Sequence, residues 1–120
     1  MTHSWRNYVL TATLALGLAP VAVRALTPPR PVDTVYTGIV SDDMCGAKHD
    51  MGGGTPAECT RMCVKGGSDY ALVVGEKAYT LVTTDKQQLV ILDKYAGARV
   101  TVRGTLSGTK LTVHSVSPAR

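Results

Sequence analysis

The sequence predicts a small, mainly β domain that contains two short helices. Short runs of β-branched residues recur along the chain, turns that contain glycine separate most of them, and two capping signals mark helix starts. The chain has 120 residues, which is the size of one domain. Apolar residues make up 44% of it and charged residues 18%, a composition that is typical of a folded globular protein rather than a disordered one.

The first 25 residues have the pattern of a secretory signal peptide. Arg6 supplies the basic start, and an uncharged, mostly apolar run of 16 residues follows from Tyr8 to Val23. This run is short for a membrane span and contains Pro20, so we expect cleavage after Ala25 rather than an uncleaved membrane anchor, which is the alternative. The predicted location of the mature protein is the periplasm or the extracellular medium, without a membrane attachment.

The signal peptide would leave a mature chain of 95 residues, of which residues 26–33 hold three prolines and are predicted to be a tether. Two of the 13 basic residues leave with the signal while all nine acidic ones stay, so the net charge falls from +4 to +2. This weak charge and an aromatic content of 5% give no indication of nucleic-acid binding. The remaining segment, residues 34–117, is predicted to be a single domain.

The first half of this domain is predicted to be a strand, a loop and a helix. The β-branched run Thr34–Ser41 indicates the strand, and the glycine-rich segment Asp42–Thr55 indicates the loop. Pro56–Lys65 is predicted to be a helix, because Thr55 can cap it, Glu58 completes a capping box and two glycines follow its last residue.

The second half is predicted to hold two pairs of strands with a helix between them. Gly75 and Glu76 indicate a tight turn between the first two strands. Thr84 is predicted to cap the helix and Gly97 to terminate it. The four strands are predicted at Asp69–Val74, Lys77–Thr83, Ala98–Leu106 and Lys110–Ser117.

This order of elements predicts an OB-like barrel. Without the first helix the order is three strands, a helix and two strands, which is that of the small five-stranded, partly open OB-fold barrel. Residues 42–67 would then be a loop insertion that follows the first strand. The alternative architecture is an open antiparallel meander with both helices packed on one face.

Four residues of the insertion are candidate metal ligands. Cys45 and His49 lie in the loop, and Cys59 and Cys63 lie one turn apart on one face of the predicted helix. The three glycines at 52–54 would let the loop fold back and bring the four side chains together. Thiolate and imidazole ligands suit zinc in a structural site, and thiolates also suit copper(I) in a copper-handling protein.

A disulfide is the alternative use of these cysteines, because exported domains of this size usually pair their cysteines. Cys59 and Cys63 are poorly placed for each other on a regular helix, so Cys45 would pair with one of them and leave one thiol free. Such a bridge would stabilise the fold by about 3 kcal/mol. The protein would then be an interaction or ligand-binding domain without a metal, and its partner would be a protein or a small ligand.

Several acidic and methionine residues lie close to the four candidate ligands in the sequence. Asp42, Asp43 and Asp50 are expected to be solvated turn residues, and the alternative is that they supply a carboxylate ligand or hydrogen bonds to the ligands. Met44 and Met62 are expected to pack the loop and the helix onto the barrel, and the alternative is that their thioethers bind copper(I).

The sequence contains no recognisable catalytic motif. It lacks the motifs of serine hydrolases, nucleotide-binding enzymes and zinc proteases. His49 is the one nearby base for a nucleophilic cysteine, and no third group can be assigned to orient it. We therefore predict a binding domain rather than an enzyme.

Two segments of the chain resemble a family of small exported bacterial proteins whose domain has no established function. They are G-I-V-S-D-D-M-C-G-A-K-H at residues 38–49 and C-T-R-M-C-V-K-G-G at residues 59–67. The similarity extends over residues 34–117, and the closing strands are also similar to those of bacterial OB-type domains. The resemblance implies no activity, but it implies that Cys45, His49, Cys59 and Cys63 form one site.

Overall fold

The computed structural model describes residues 27–49 and 54–120. They form β1 (Thr34–Asp42), α1 (Pro56–Lys65), β2 (Tyr70–Val74), β3 (Lys77–Val82), α2 (Lys86–Lys94), β4 (Arg99–Ser107) and β5 (Lys110–Pro118). The order is the one that the sequence predicts. Residues 27–33 are exposed and have no regular secondary structure. The predicted signal peptide, residues 1–25, lies outside the described residues.

No helix within residues 27–49 and 54–120 has the length and apolar character that crossing a membrane requires.

The five strands close into a barrel in the order β1-β2-β3-β5-β4. Neighbouring strands are antiparallel except β3 and β5, which pair in parallel through Thr80 to Val82. Closure is possible because β1 is long enough to pair with β4 along its first part and with β2 along its last part. Ile39 lies where the two pairings overlap, opposite Arg99 of β4 and Val73 of β2. The fold is therefore the predicted OB-like barrel, and the open meander is wrong because the first and fourth strands are hydrogen-bonded to each other.

The barrel interior is filled by aliphatic side chains that alternate with polar ones along the strands. Val40, Leu72, Val100, Val102 and Leu111 are all fully buried there. This alternation places one face of each strand in the core and leaves the other for solvent or for the helices. Such burial supplies the main favourable free energy of folding.

Two strand glycines allow the barrel to bend sharply enough to close. A Cβ atom at Gly38 would run into the carbonyl oxygen of Val73, and one at Gly104 would run into the carbonyl oxygen of Thr112. The register of the β4–β5 pair shifts at Gly104, where a bulge bends the strand. Any larger residue at these positions would push the neighbouring strand away.

The helix α1 begins and ends where the sequence predicts. The Thr55 hydroxyl accepts a hydrogen bond from the Glu58 amide at 3.3 Å, and the Glu58 carboxylate accepts one from the Thr55 amide at 2.9 Å, which completes the capping box. The Thr55 contacts hold the pKa of Glu58 below its usual value. The helix packs on β1, and its Thr60 is fully buried.

The predicted cap of the second helix is wrong by one residue. Asp85, not Thr84, caps α2, and its carboxylate accepts a hydrogen bond from the Gln87 amide at 2.8 Å. A carboxylate is at least as good an N-cap as a hydroxyl and adds a negative charge at the helix start. Leu92 is fully buried on the inner face of α2, and the positive φ of Gly97 (+74°) lets the chain turn toward β4.

Substitution of Gly104 by alanine should destabilise the barrel by about 3 kcal/mol, because the added methyl group has no room at the bulge. Gly108→Asn is a matched control: nothing lies within 4 Å of a Cβ there, and asparagine tolerates its positive φ of +62°. Urea unfolding monitored by circular dichroism measures both changes. Equal stability of the two variants would contradict this account of the bulge.

Tyr70 links β2 to α2 and titrates abnormally. Its side chain is buried, and its hydroxyl donates a hydrogen bond to the Asp93 carboxylate at 3.3 Å. Burial, followed by the Asp93 charge, raises the pKa of Tyr70 from 10.0 to about 12. Between pH 10 and pH 12 the folded state therefore keeps the proton of Tyr70, whereas the unfolded chain loses it.

Stability should consequently fall between pH 10 and pH 12, since the unfolded state there binds fewer protons than the folded state. Tyr70→Phe should remove this part of the decline, although it should be less stable at neutral pH by about 1 kcal/mol because Asp93 loses a donor. Unfolding free energies measured at pH 8, 10 and 11 test this. A decline in Tyr70→Phe identical to that of the unmodified protein would overturn the assignment.

Candidate metal centre

The candidate site begins where β1 leaves the barrel. One carboxylate oxygen of Asp42, Oδ1, accepts hydrogen bonds from the amides of Met44 (3.2 Å) and Cys45 (2.9 Å). The Gly46 amide donates to the carbonyl oxygen of Asp42 at 2.9 Å, and Gly46 has a φ of +57°. These bonds fold the chain back on itself directly after the strand, so that Cys45 returns toward the barrel.

The other two cysteines reach the same place from α1. Cys59 and Cys63 are half-buried and lie one turn apart on the helix. Their sulfur atoms and that of Cys45 all lie within 4.8 Å of one another. The structure thus brings together the three cysteines of the predicted ligand set.

All three cysteines are free thiols in the structure. The disulfide that the alternative interpretation requires, between Cys45 and one of the helix cysteines, is not formed. The three sulfurs lie within 4.8 Å of one another without a bond between any two of them, which is close enough for them to hold one metal ion.

His49 belongs to a second group of donors. A ring nitrogen of His49, a carboxylate oxygen of Asp42 and the sulfur of Cys45 lie within 4.8 Å of one another. The predicted ligands are therefore arranged as two triads that share Cys45: the thiol triad (Cys45, Cys59, Cys63) and the mixed triad (Asp42, Cys45, His49). The predicted Cys45, His49, Cys59 and Cys63 converge on one region, and His49 joins it through Cys45.

The hydrogen bonds of Ser41 identify the tautomer of His49. The single hydroxyl proton of Ser41 is donated to the carbonyl oxygen of Gly46 at 2.6 Å. The 3.3 Å contact between the same hydroxyl and His49 Nε2 must then be donated by the ring, so the proton of the neutral imidazole is on Nε2. The Nδ1 atom presents a bare lone pair, and it is buried without a hydrogen-bond partner among the described residues.

Asp42 differs from the expectation for a solvated turn residue, because it is fully buried. Its Oδ1 atom is occupied by the two backbone amides, whereas Oδ2 is buried and has no partner within the described part of the chain. Sequence reasoning treated Asp42 as a minor candidate; the available signal was its position three residues before Cys45.

Asp43 is exposed as expected and accepts a hydrogen bond from the Asp69 amide at 3.1 Å. Asp50 lies outside the described residues.

The surroundings of Cys45 and Cys63 favour the protonated forms of these two thiols. Burial, followed by the nearby Asp42 carboxylate, raises the pKa of Cys45 to about 12. The same two causes raise the pKa of Cys63. A cation placed at the sulfurs would reverse this balance by stabilising the thiolate forms and releasing their protons.

The two methionines beside the cluster do not pack on the barrel. The side chain of Met44 is 71% exposed and that of Met62 is 72% exposed, so the packing expectation is wrong. The turn after β1 and the outer face of α1 direct them away from the core. His114 on β5 is exposed, and its Nδ1 atom lies 2.9 Å from an Asp33 oxygen.

Comparison with known proteins finds no family model, no curated protein and no solved structure that matches this chain. The resemblance to small exported bacterial proteins stays a prediction. The function is therefore argued from the geometry of the cluster.

The state of the thiols gives the first test of the site. Protein purified without reductant and alkylated under denaturing conditions in the presence of a chelator should gain three adducts by intact mass spectrometry, one for each free cysteine. A protein with one disulfide would gain a single adduct, and that result would contradict the geometry of the thiol triad.

Proposed function

We propose that this chain is an exported domain whose Cys/His cluster binds a metal ion, with zinc in a structural role. The observation that carries the proposal is the convergence of three sulfur atoms, within 4.8 Å of one another, from two separate elements of the fold. Two sulfurs bound to one tetrahedral zinc ion lie about 3.8 Å apart, so a small adjustment of the side chains would complete the coordination.

The remaining donors support zinc over softer ions. An imidazole nitrogen and a carboxylate oxygen lie beside Cys45, and both are common zinc ligands. Three buried polar atoms have no hydrogen-bond partner in residues 27–49 and 54–120: His49 Nδ1 and Asp42 Oδ2, which belong to the mixed triad, and Thr60 Oγ1 on α1. Buried acceptors are nearly always satisfied, and a metal ion is one of the groups that satisfies them. The Nε2–H of His49 contacts Ser41, which is the type of outer contact that orients ligating histidines.

The proposed role of the ion is to fasten the insertion to the barrel. Cys45 follows β1 directly, whereas Cys59 and Cys63 lie on α1, and the chain between these elements contains three consecutive glycines. A bond through the metal would close this loop in the folded state, and because the unfolded chain has no preformed site, the free energy of metal binding would add to the free energy of folding. A domain with so small a core gains stability from such a link.

Copper(I) handling is the second candidate, and the exposure of the methionines favours it. Met44 and Met62 each precede a cysteine of the thiol triad, and both thioethers are open to solvent. Thioethers and thiolates are preferred ligands of copper(I). Exposed methionines beside a cysteine cluster would suit a protein that receives the ion from a partner and passes it on.

Cys59→Ser should lower the zinc affinity of the reduced protein by more than ~100-fold, since loss of a ligand exceeds the 10–100-fold effect of losing an outer contact. Zinc should also raise the thermal unfolding midpoint of the unmodified protein, and the variant should lose this shift. Competition with a chromophoric chelator measures the affinity. Met62→Ser, three residues along the same helix, is the matched control and should bind zinc normally.

The same pair of variants separates the two candidate metals. If copper handling is the function, Met62→Ser should weaken copper(I) binding or transfer while it leaves zinc binding unchanged. If the reduced protein binds neither metal, or if Cys59→Ser binds both metals as the unmodified protein does, the proposed function is wrong.

A further inference from the structure

We propose that the cluster holds two divalent metal ions, with the sulfur of Cys45 as a ligand of both. This inference rests on the proposed metal-binding function and extends it from one ion to two. One ion would occupy the thiol triad and the other the mixed triad. The sequence predicts a single site of three cysteines and one histidine. In the structure these residues would instead form two metal positions that share the sulfur of Cys45.

The first argument is geometric. The three donors of each triad lie within 4.8 Å of one another, and Cys45 is the residue that the two triads have in common. A single ion bound by the thiol triad would not use all of the donors, because the Asp42 carboxylate and the His49 ring form a group of their own with Cys45. A thiolate sulfur has enough lone pairs to bind two ions, so it can connect two adjacent positions.

The second argument is that hydrogen bonds already hold the Asp42 and His49 side chains of the mixed triad in place. The Oδ1 atom of Asp42 is held by two backbone amides, and the Nε2–H of His49 contacts Ser41. Each side chain is thus fixed through one polar atom while its other polar atom, Oδ2 or Nδ1, is buried and lacks a partner among the residues described. The Asp42 side chain is fully buried, so water does not reach that carboxylate from outside.

The third argument is the charge of the donors. When three thiols lose their protons and the Asp42 carboxylate is ionised, the two triads together carry four negative charges. One divalent ion would neutralise half of this charge, and the remainder would stay in a partly buried region where like charges repel strongly. Two divalent ions neutralise all of it.

The donor types also define which ions the two positions take. The thiol triad offers sulfur alone and suits zinc, cadmium or cobalt(II) in the place of zinc. The mixed triad offers oxygen, sulfur and nitrogen and suits zinc, cobalt(II) or nickel(II). Each ion would receive three protein ligands, which leaves one position of a tetrahedron for water or a small ligand. The ion in the mixed triad should exchange more readily than the ion in the thiol triad. Its only thiolate ligand, Cys45, is shared with the other ion.

Titration of the reduced, metal-free protein with cobalt(II) tests the proposal. Native mass spectrometry should show two ions per chain at saturation, and His49→Ala should bind one, held by the thiol triad. Asp42→Asn should likewise lose the second ion. His114→Ala, a histidine variant outside the cluster, is the control and should keep two.

A spectroscopic readout distinguishes a shared sulfur from two independent sites. Two cobalt(II) ions bridged by a thiolate couple antiferromagnetically, so the electron paramagnetic resonance signal per ion should fall when the second equivalent binds. Saturation at one ion, two ions in both His49→Ala and Asp42→Asn, or no loss of signal per ion would each overturn the two-ion inference and leave the proposed function standing. No bound ion in the reduced unmodified protein would overturn both.

Discussion

The end of β1 is the constraint on which the candidate site depends. A barrel strand normally buries every second residue, yet Val40, Ser41 and Asp42 are consecutive and all fully buried. Both faces of the strand are covered here because α1 packs on its outer side and the following turn folds back over it. Burial on both faces excludes water from the Asp42 carboxylate, whereas the three cysteines beside it are half-buried.

The position of α1 depends on contacts from far along the chain. The Arg61 guanidinium donates to the carbonyl oxygen of Asp93 at 2.8 Å, which ties the helix to the end of α2. A Cβ at Gly97 would come within 2.8 Å of the Ala57 amide nitrogen, so the helix start can lie this close only because residue 97 has no side chain. Gly97 also donates to the carbonyl oxygen of Val40 at 2.8 Å. The connection between α2 and β4 therefore contacts both α1, which carries Cys59 and Cys63, and the end of β1, which Cys45 follows.

Local signals in the sequence predicted the elements, and their failures have local causes. The capping box at Thr55 and Glu58 fixed the start of α1 because all its partners lie within four residues. The cap of α2 was misplaced because Thr84 and Asp85 are adjacent and both can cap. Chain order and spacing predicted which cysteines would meet. They could not predict the burial of Asp42, which requires a helix and a turn to cover one strand end, nor the division of the ligands into two triads.

The side chains of the cluster differ from those that fill the rest of the core. It concentrates three sulfurs, an imidazole and a carboxylate in one place, where His49 Nδ1 and Asp42 Oδ2 are buried without a hydrogen-bond partner among the described residues. Valine or leucine would fill the same space without a desolvation penalty, and the rest of the barrel is filled in that way. The thiols compensate by keeping their protons, as the raised pKa values of Cys45 and Cys63 indicate. Such a cluster stabilises the fold poorly on its own, and a cation bound as proposed would supply the partner that its buried donor atoms lack.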